Sequence, residues 1–196
     1  MDQPKPTAAG NGLARAGRHD GLTITLHWLT ALLVVSQFAL AQIWGFLPRG
    51  DDTRHTLQSL HVSFGVTLAV VVLVRLVWRS GFSRRLPPAD TGPIEWVARV
   101  VHYGLYALLI AMVLTGLGKA WNHAHAAGVF GLFSVPALFV VDPSWRPVVA
   151  TVHLWGAWAI VLLAGLHAAA ALFHHYALHD GVLRRMLPGR DATAAR

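Results

Sequence analysis

Of 196 residues, 55% are apolar, only 13% are charged and none is cysteine. A soluble domain of this size carries about a quarter charged residues, so the composition points to a membrane protein. The lack of thiols excludes thiolate-held iron–sulfur clusters, covalent c-type haem attachment, disulfides and cysteine catalysis. A net charge of +7 comes with no readable nucleic-acid motif, and its distribution has another explanation.

Some twenty polar or small residues open the chain, which is not the pattern of a secretory signal. Four apolar blocks follow, at residues 22–44, 57–78, 94–117 and 148–176. Each is long enough to cross a bilayer, which takes about 20 residues, and none has an Asp or Glu in its interior. The pattern predicts an all-α integral membrane four-helix bundle over residues 21–188, between flexible tails at 1–20 and 189–196. Residues 126–141 are also apolar, but Gly128, Gly131 and Pro136 interrupt them. They are read as an outer loop or short helix against the membrane surface. No internal repeat is visible.

Charge sets the orientation. Lys5, Arg15 and Arg18 precede the first block. Arg75, Arg79, Arg84, Arg85 and Arg99 surround the second connection, and Arg184, Arg185, Arg190 and Arg196 follow the last block. Only Arg49, Arg54, Lys119 and Arg146 fall on the other side. Twelve basic residues against four predict both termini in the cytoplasm. A fifth span at 126–141 would reverse the Arg-rich C-terminus, against this bias.

Histidines are the main polar residues inside the blocks. His153 and His167 are fourteen residues apart, about 21 Å of helical rise and roughly 40° short of four turns. Both imidazoles thus leave one helix face, one near each end of the span. By depth, His61 pairs with His153 near the outer face, and His27 with His167 near the inner face. Two imidazoles at each of two depths suit two b haems, each held between histidines of facing helices. Zinc transport would favour carboxylates beside the histidines, and the spans have none. Gly65, Gly156 and Gly165 near the ligands, with Gly104, Gly116 and Gly118 in the third span, would let a flat porphyrin approach the backbones.

His102 falls near the inner pair, within reach of a haem propionate or a quinone. His174, His175, Tyr176 and His179 form a protonatable group past His167, suited to a quinone headgroup that needs hydrogen bonds and protons. His19, His55, His123 and His125 lie outside the spans and read as solvated. Most tryptophans mark span ends, as an aromatic belt does; Trp28 and Trp155 also flank ligand positions.

Several strings resemble the bacterial dihaem cytochrome b561 family. They are Leu26-His27-Trp28, Leu60-His61-Val62-Ser63 before Gly65, and Gly45-Phe46-Leu47-Pro48-Arg49. The most specific is Gly165-Leu166-His167-Ala168-Ala169-Ala170-Ala171-Leu172 followed by His174-His175-Tyr176, with Leu183-Arg184-Arg185-Met186-Leu187-Pro188 closing the match. The resemblance covers about residues 20–188 and extends more distantly to cytochrome subunits of hydrogenases and formate dehydrogenases. It implies a bundle in the bacterial inner membrane with two b haems on His27, His61, His153 and His167.

The likeness to the family's superoxide oxidases implies oxidation of superoxide to oxygen outside and delivery of electrons to ubiquinone inside. On that pattern His175 contacts quinone, and His179 stands where the family has a lysine. Arg49, Arg54 and Arg146, with Lys119, would attract the superoxide anion, partly offset by Asp51, Asp52 and Asp142. Membrane lipid, ubiquinone and superoxide are then the expected partners. A protein partner is not required. Two other expectations stay open: a quinol-oxidising carrier donating to an outer-face partner, and a haem-bearing anchor subunit of another redox enzyme.

Overall fold

A computed structural model describes residues 17–84, 86–88, 91–121 and 126–189. Among the sequence candidates, His123, His125, Arg85 and Arg190 lie outside the described residues, as do most of both tails. The four apolar blocks form helices α1 (Gly21–Gly45), α2 (Asp52–Gly81), α3 (Pro93–Ala120) and α4 (Arg146–Tyr176). At 25 to 31 residues they are about 37–46 Å long, more than the ~30 Å hydrocarbon core of a bilayer. All four are long and apolar enough to cross a membrane.

Local chemistry explains where each helix starts and stops. Asp20 caps α1, accepting from Thr23 N at 2.9 Å and from the Thr23 hydroxyl at 2.7 Å. Asp51 caps α2 by accepting from Arg54 N at 3.1 Å. A side-chain oxygen at this position satisfies one of the free N–H groups of the first turn. Prolines 93 and 147 stand in the first turns of α3 and α4, where a missing N–H costs nothing. Hydroxyls within the spans are satisfied by their own helices: Thr30 donates to Leu26 O at 2.6 Å and Thr67 to Ser63 O at 3.0 Å. Lipid offers no such partner.

The helix pairs α1/α2, α2/α3 and α3/α4 pack as neighbours. His27 near the start of α1 meets His167 near the end of α4, and His61 near the start of α2 meets His153 near the start of α4. The bundle therefore has a termini end, where the chain enters and leaves, and an opposite end. Leu26 and Leu33 of α1, Leu68, Val71 and Val72 of α2, Leu109 of α3 and Ile160 of α4 form the buried core. Ile160 is midway along α4 between its two histidines, so an apolar layer separates them. Leu32, Leu73, Leu154, Leu162 and Leu166 stay exposed on the outside, as a lipid-facing surface requires.

The apolar stretch at 126–141 is not a span, and it is not helical either. It folds into a hairpin of β1 (Ala127–Val129) and β2 (Phe133–Val135), with Ala127 opposite Val135 and Val129 opposite Phe133. Gly131 takes φ +70° in the turn, a left-handed conformation open to glycine. Phe130 N donates to the buried Ser63 hydroxyl at 2.9 Å, and the Phe130 ring meets Phe64. This hairpin thereby closes the end of the bundle opposite the termini, called the hairpin end below. Trp121, 1% exposed, packs on Phe139 behind it. Gly118 lets the loop approach α3, since a Cβ there would meet Val141 at 3.0 Å.

At the termini end the chain is stitched shut across long sequence distances. His19 N donates to Arg185 O, and Trp28 Nε1 to Met186 O at 2.7 Å. Arg185 also donates to Pro87 O at 2.7 Å, and Trp78 Nε1 reaches Asp20 at 3.0 Å.

Candidate functional site

The structure brings together the four ligand candidates as two pairs. Imidazole centroids of His61 and His153 are 6.3 Å apart with planes at 75°; those of His27 and His167 are 6.3 Å apart at 73°. With a metal–imidazole bond of about 2 Å, each ring centroid lies about 3.2 Å from a bound metal. Two such rings on opposite sides of one iron then stand about 6.4 Å apart. Both pairs fit an axially ligated iron, and the donor set is two neutral imidazoles with no carboxylate, as bis-histidine haem requires.

At the hairpin end the hydrogen bonds decide which nitrogen is free. His61 Nδ1 lies 3.2 Å from the backbone oxygen of Gln37, which only accepts. His61 therefore carries its proton on Nδ1 and keeps the Nε2 lone pair. His153 Nδ1 lies 2.9 Å from the Thr115 hydroxyl. That hydroxyl spends its one proton on Ala111 O at 2.6 Å, so it accepts from His153. Both histidines keep the Nε2 lone pair, with Nδ1–H held by a neighbour, an arrangement that would suit a metal. Trp44 packs edge-on to His61 at 4.9 Å. Gly116 makes room for the ring, since a Cβ there would stand 3.2 Å from His153 Cε1.

The termini-end pair is built differently. Arg75 Nη2 lies 3.2 Å from His27 Nδ1. A guanidinium only donates, so here Nδ1 accepts. The Arg75 guanidinium also lies over the Tyr106 ring, 5.2 Å from its centroid. His102 joins this group, with its ring 5.2 Å from that of His167.

The other glycines expected near a flat cofactor are in mixed surroundings. Gly165 borders open space, while a Cβ on Gly65 would meet the Gln37 amide tip at 2.9 Å and one on Gly156 the Met112 sulfur at 2.7 Å. Gln37 and Met112 are flexible side chains at the hairpin-end pair.

Beyond His167, His174 Nδ1 is 2.5 Å from Asp180 Oδ2. Burial pushes the Asp180 carboxyl up, but hydrogen bonds from His174 and Val182 N outweigh it and hold it below the usual carboxylate range. His175 stacks edge-on with Tyr176 at 4.8 Å, and His179 is exposed in a left-handed turn with Nδ1 3.1 Å from Ala177 O. The structure thus separates the histidine group: His174 is coupled to a carboxylate, and His179 is at the rim.

Of the basic residues at the hairpin end, Arg54 donates to Trp44 O at 2.7 Å and Leu47 O at 2.9 Å, capping the end of α1. Arg146 Nε donates to Val141 O at 3.4 Å, and Arg49 is exposed. These bonds leave the charges in place. Lys119 stands in the last turn of α3 at the same end.

Sequence reasoning did not single out Gln37, Thr115 or Asp180, and it counted Arg75 only toward orientation. Arg75 carried a usable signal, because a lone ionisable residue inside an apolar span is functional by default. The partners of His61 and His153 carried none.

A four-helix membrane bundle with two imidazole pairs of metal-sized spacing defines a b-type membrane cytochrome. The profile of the prokaryotic cytochrome b561 family matches residues 18–189, and the chain belongs to that family. It is 32% identical over 171 residues to cytochrome b561 homolog 2 of Escherichia coli, covering 87% of this chain and 91% of that protein. It is 29% identical over 172 residues to the probable superoxide oxidase CybB of Yersinia pestis, covering 87% and 96%. Cytochrome b562 of Cereibacter sphaeroides is 32% identical over 176 residues, covering 86% and 94%. The protein is therefore a bacterial membrane cytochrome of b-type haem with an electron-transfer role.

Proposed function

We propose that this cytochrome is a superoxide:ubiquinone oxidoreductase of the inner membrane, with both termini cytoplasmic and the hairpin end facing out. The observation that carries the reading is the two imidazole pairs, alike in spacing and held at two depths by an apolar layer. Two b haems, one on His61 and His153 and one on His27 and His167, supply one-electron chemistry between the faces. Two superoxide anions each give up one electron and leave as oxygen. One ubiquinone takes two electrons and two protons and leaves as ubiquinol.

The chain's own residues handle charge and protons. Arg49, Arg54, Arg146 and Lys119 make the hairpin end attractive to a small anion, and Asp51, Asp52 and Asp142 temper that field. At the termini end, the His174–Asp180 couple holds a proton on an imidazole steadied by a carboxylate, next to His175 and Tyr176. Such a couple serves a quinone that must gain two protons. His102 stands beside His167, and His179 offers a further donor at the rim. The name of the Yersinia pestis relative supports the choice of superoxide.

The test mixes purified oxidised protein with a superoxide pulse and follows haem absorbance, with and without ubiquinone, using superoxide dismutase as control. Fast, dismutase-sensitive reduction that drains into ubiquinone is expected. Arg49→Ala and Arg146→Ala should slow it several-fold at low salt and less at high salt, as screening predicts. Reduction by quinol but not by superoxide would overturn the reading in favour of a carrier to an outer-face acceptor. Activity that appears only with an added partner subunit would favour an anchor.

A further inference from the structure

Arg75 is a cation well inside α2, placed between α1 and α3 by its contacts with His27 and Tyr106. Such a charge within a span is costly and calls for a partner. Among the described residues no carboxylate forms an ion pair with it. The acids at the same end are engaged elsewhere: Asp20 by Thr23, Trp78 and Arg84, Asp180 by His174 and Val182, and Glu95 by Arg99.

Its bond to His27 conflicts with the ligand role of that imidazole. Ligation of iron through Nε2 places the proton on Nδ1, and two donors, Nδ1–H and the guanidinium, would then face each other. His27 escapes the conflict only if Arg75 turns to another acceptor. A haem brings two carboxylates into the bundle, and the guanidinium fork matches a carboxylate.

Resting on the dihaem reading, we propose that Arg75 anchors a propionate of the termini-end haem, leaving His27 Nδ1 as it does so. Arg75 is then a positioning residue that couples haem seating to the tautomer of His27. The Tyr106 ring supports the guanidinium from its far side. The hairpin-end pair needs no such release, because both of its ligands already carry the proton on Nδ1.

The test is a redox titration of the purified dihaem protein, comparing wild type, Arg75→Met and Arg75→Lys, each reconstituted with haem b or its dimethyl ester. With haem b, Arg75→Met should lower the termini-end midpoint, shifting the oxidised-to-reduced balance at least tenfold, about 59 mV for one electron. Arg75→Lys should recover part of it, and the hairpin-end midpoint should not move. Haem retention during washing reads the propionate itself: at the termini end wild type should hold haem b at least tenfold better than the ester, and Arg75→Met should hold the two alike. The same preference for haem b in wild type and Arg75→Met, or no midpoint change with haem b, overturns the proposal. If Arg75→Met fails to hold either haem, Arg75→Lys decides, because it should hold haem b better than the ester at the termini end and no preference there overturns the idea. Fewer than two haems in the wild type would instead be a failure of the dihaem reading.

Discussion

The two histidine pairs have the same spacing and nearly the same ring angle, yet His27 carries its proton on a different nitrogen from His61 and His153. At the hairpin end, Gln37 O and Thr115 Oγ1 accept from Nδ1 and leave the lone pair on both Nε2 atoms. At the termini end, Arg75 donates to His27 Nδ1, and the tautomer is the reverse of the one a ligand needs. Spacing comes from helix periodicity and from the packing of the shared helix α4. Proton placement comes from one neighbour on another helix. One end thus holds its two imidazoles through hydrogen bonds that are already satisfied, and at the other a cation donates to Nδ1 of His27.

The largest test of this comparison removes ligands one at a time. His61→Ala and His153→Ala should each reduce two haems per chain to one and abolish the same spectral component. His27→Ala and His167→Ala should also leave one haem but abolish the other component. Pyridine haemochrome analysis and low-temperature spectra read both quantities. Loss of the same component from His27→Ala and His153→Ala would break the pairing by depth.

A smaller effect separates neighbours from ligands. Thr115→Val keeps the shape of the side chain but removes the acceptor for His153 Nδ1–H. Outer partners of this kind are worth about 10–100-fold in metal affinity, so haem should wash out of the hairpin end first while the termini end is unchanged. Gly116→Ala should do less, because its Cβ would press His153 Cε1 at 3.2 Å and displace the ring by a few tenths of an ångström. Gly81→Ala, at the end of α2 where a Cβ meets nothing within 4 Å, serves as the control. Equal haem loss from all three variants would show that the hydrogen bond to Thr115 contributes nothing.

The parts legible in the sequence are those that depend on one helix at a time. Block length and hydropathy give four spans within a few residues, and the fourteen-residue spacing in α4 fixes the depths of His153 and His167. What was not legible depends on how one helix is rotated against another. Thr115 meets His153, and Arg75 meets His27, only once α3 and α2 are seated. The hairpin at 127–135 shows the same limit. Its glycines mark a break, but strand pairing there is stabilised by Ser63, which comes from the middle of the chain and caps the turn at Phe130 N. Asp180 was missed because nothing local marks it. It matters through the turn that folds it back on His174.

The smallest expected effect concerns how each end is tied down. Asp51 caps α2 from an exposed turn, and Arg54 N holds its carboxyl below the usual range. Asp20 caps α1 and also receives Trp78 Nε1 from α2 and Arg84 N beyond it. Burial pushes the Asp20 carboxyl up, but hydrogen bonds from Thr23, Trp78 and Arg84 outweigh it and bring it down to about 2. A carboxyl depressed on folding contributes stability above its unfolded value near 3.8, and loses that contribution as pH falls through about 2. Asp20→Asn keeps one acceptor but loses the charge, so it should cost about 1 kcal/mol at pH 7, the usual size of a cap. Thermal melts in detergent at a series of pH values should show the gap from wild type constant down to about pH 4 and closing toward pH 2. The termini-end haem band should follow this gap and the hairpin-end band should not, because the joint that Asp20 makes with Trp78 and Arg84 is at the termini end. A gap that stays constant across that range would mean that the amide costs stability through its shape and its donors, with the missing charge contributing nothing to the stitching of α1 to α2.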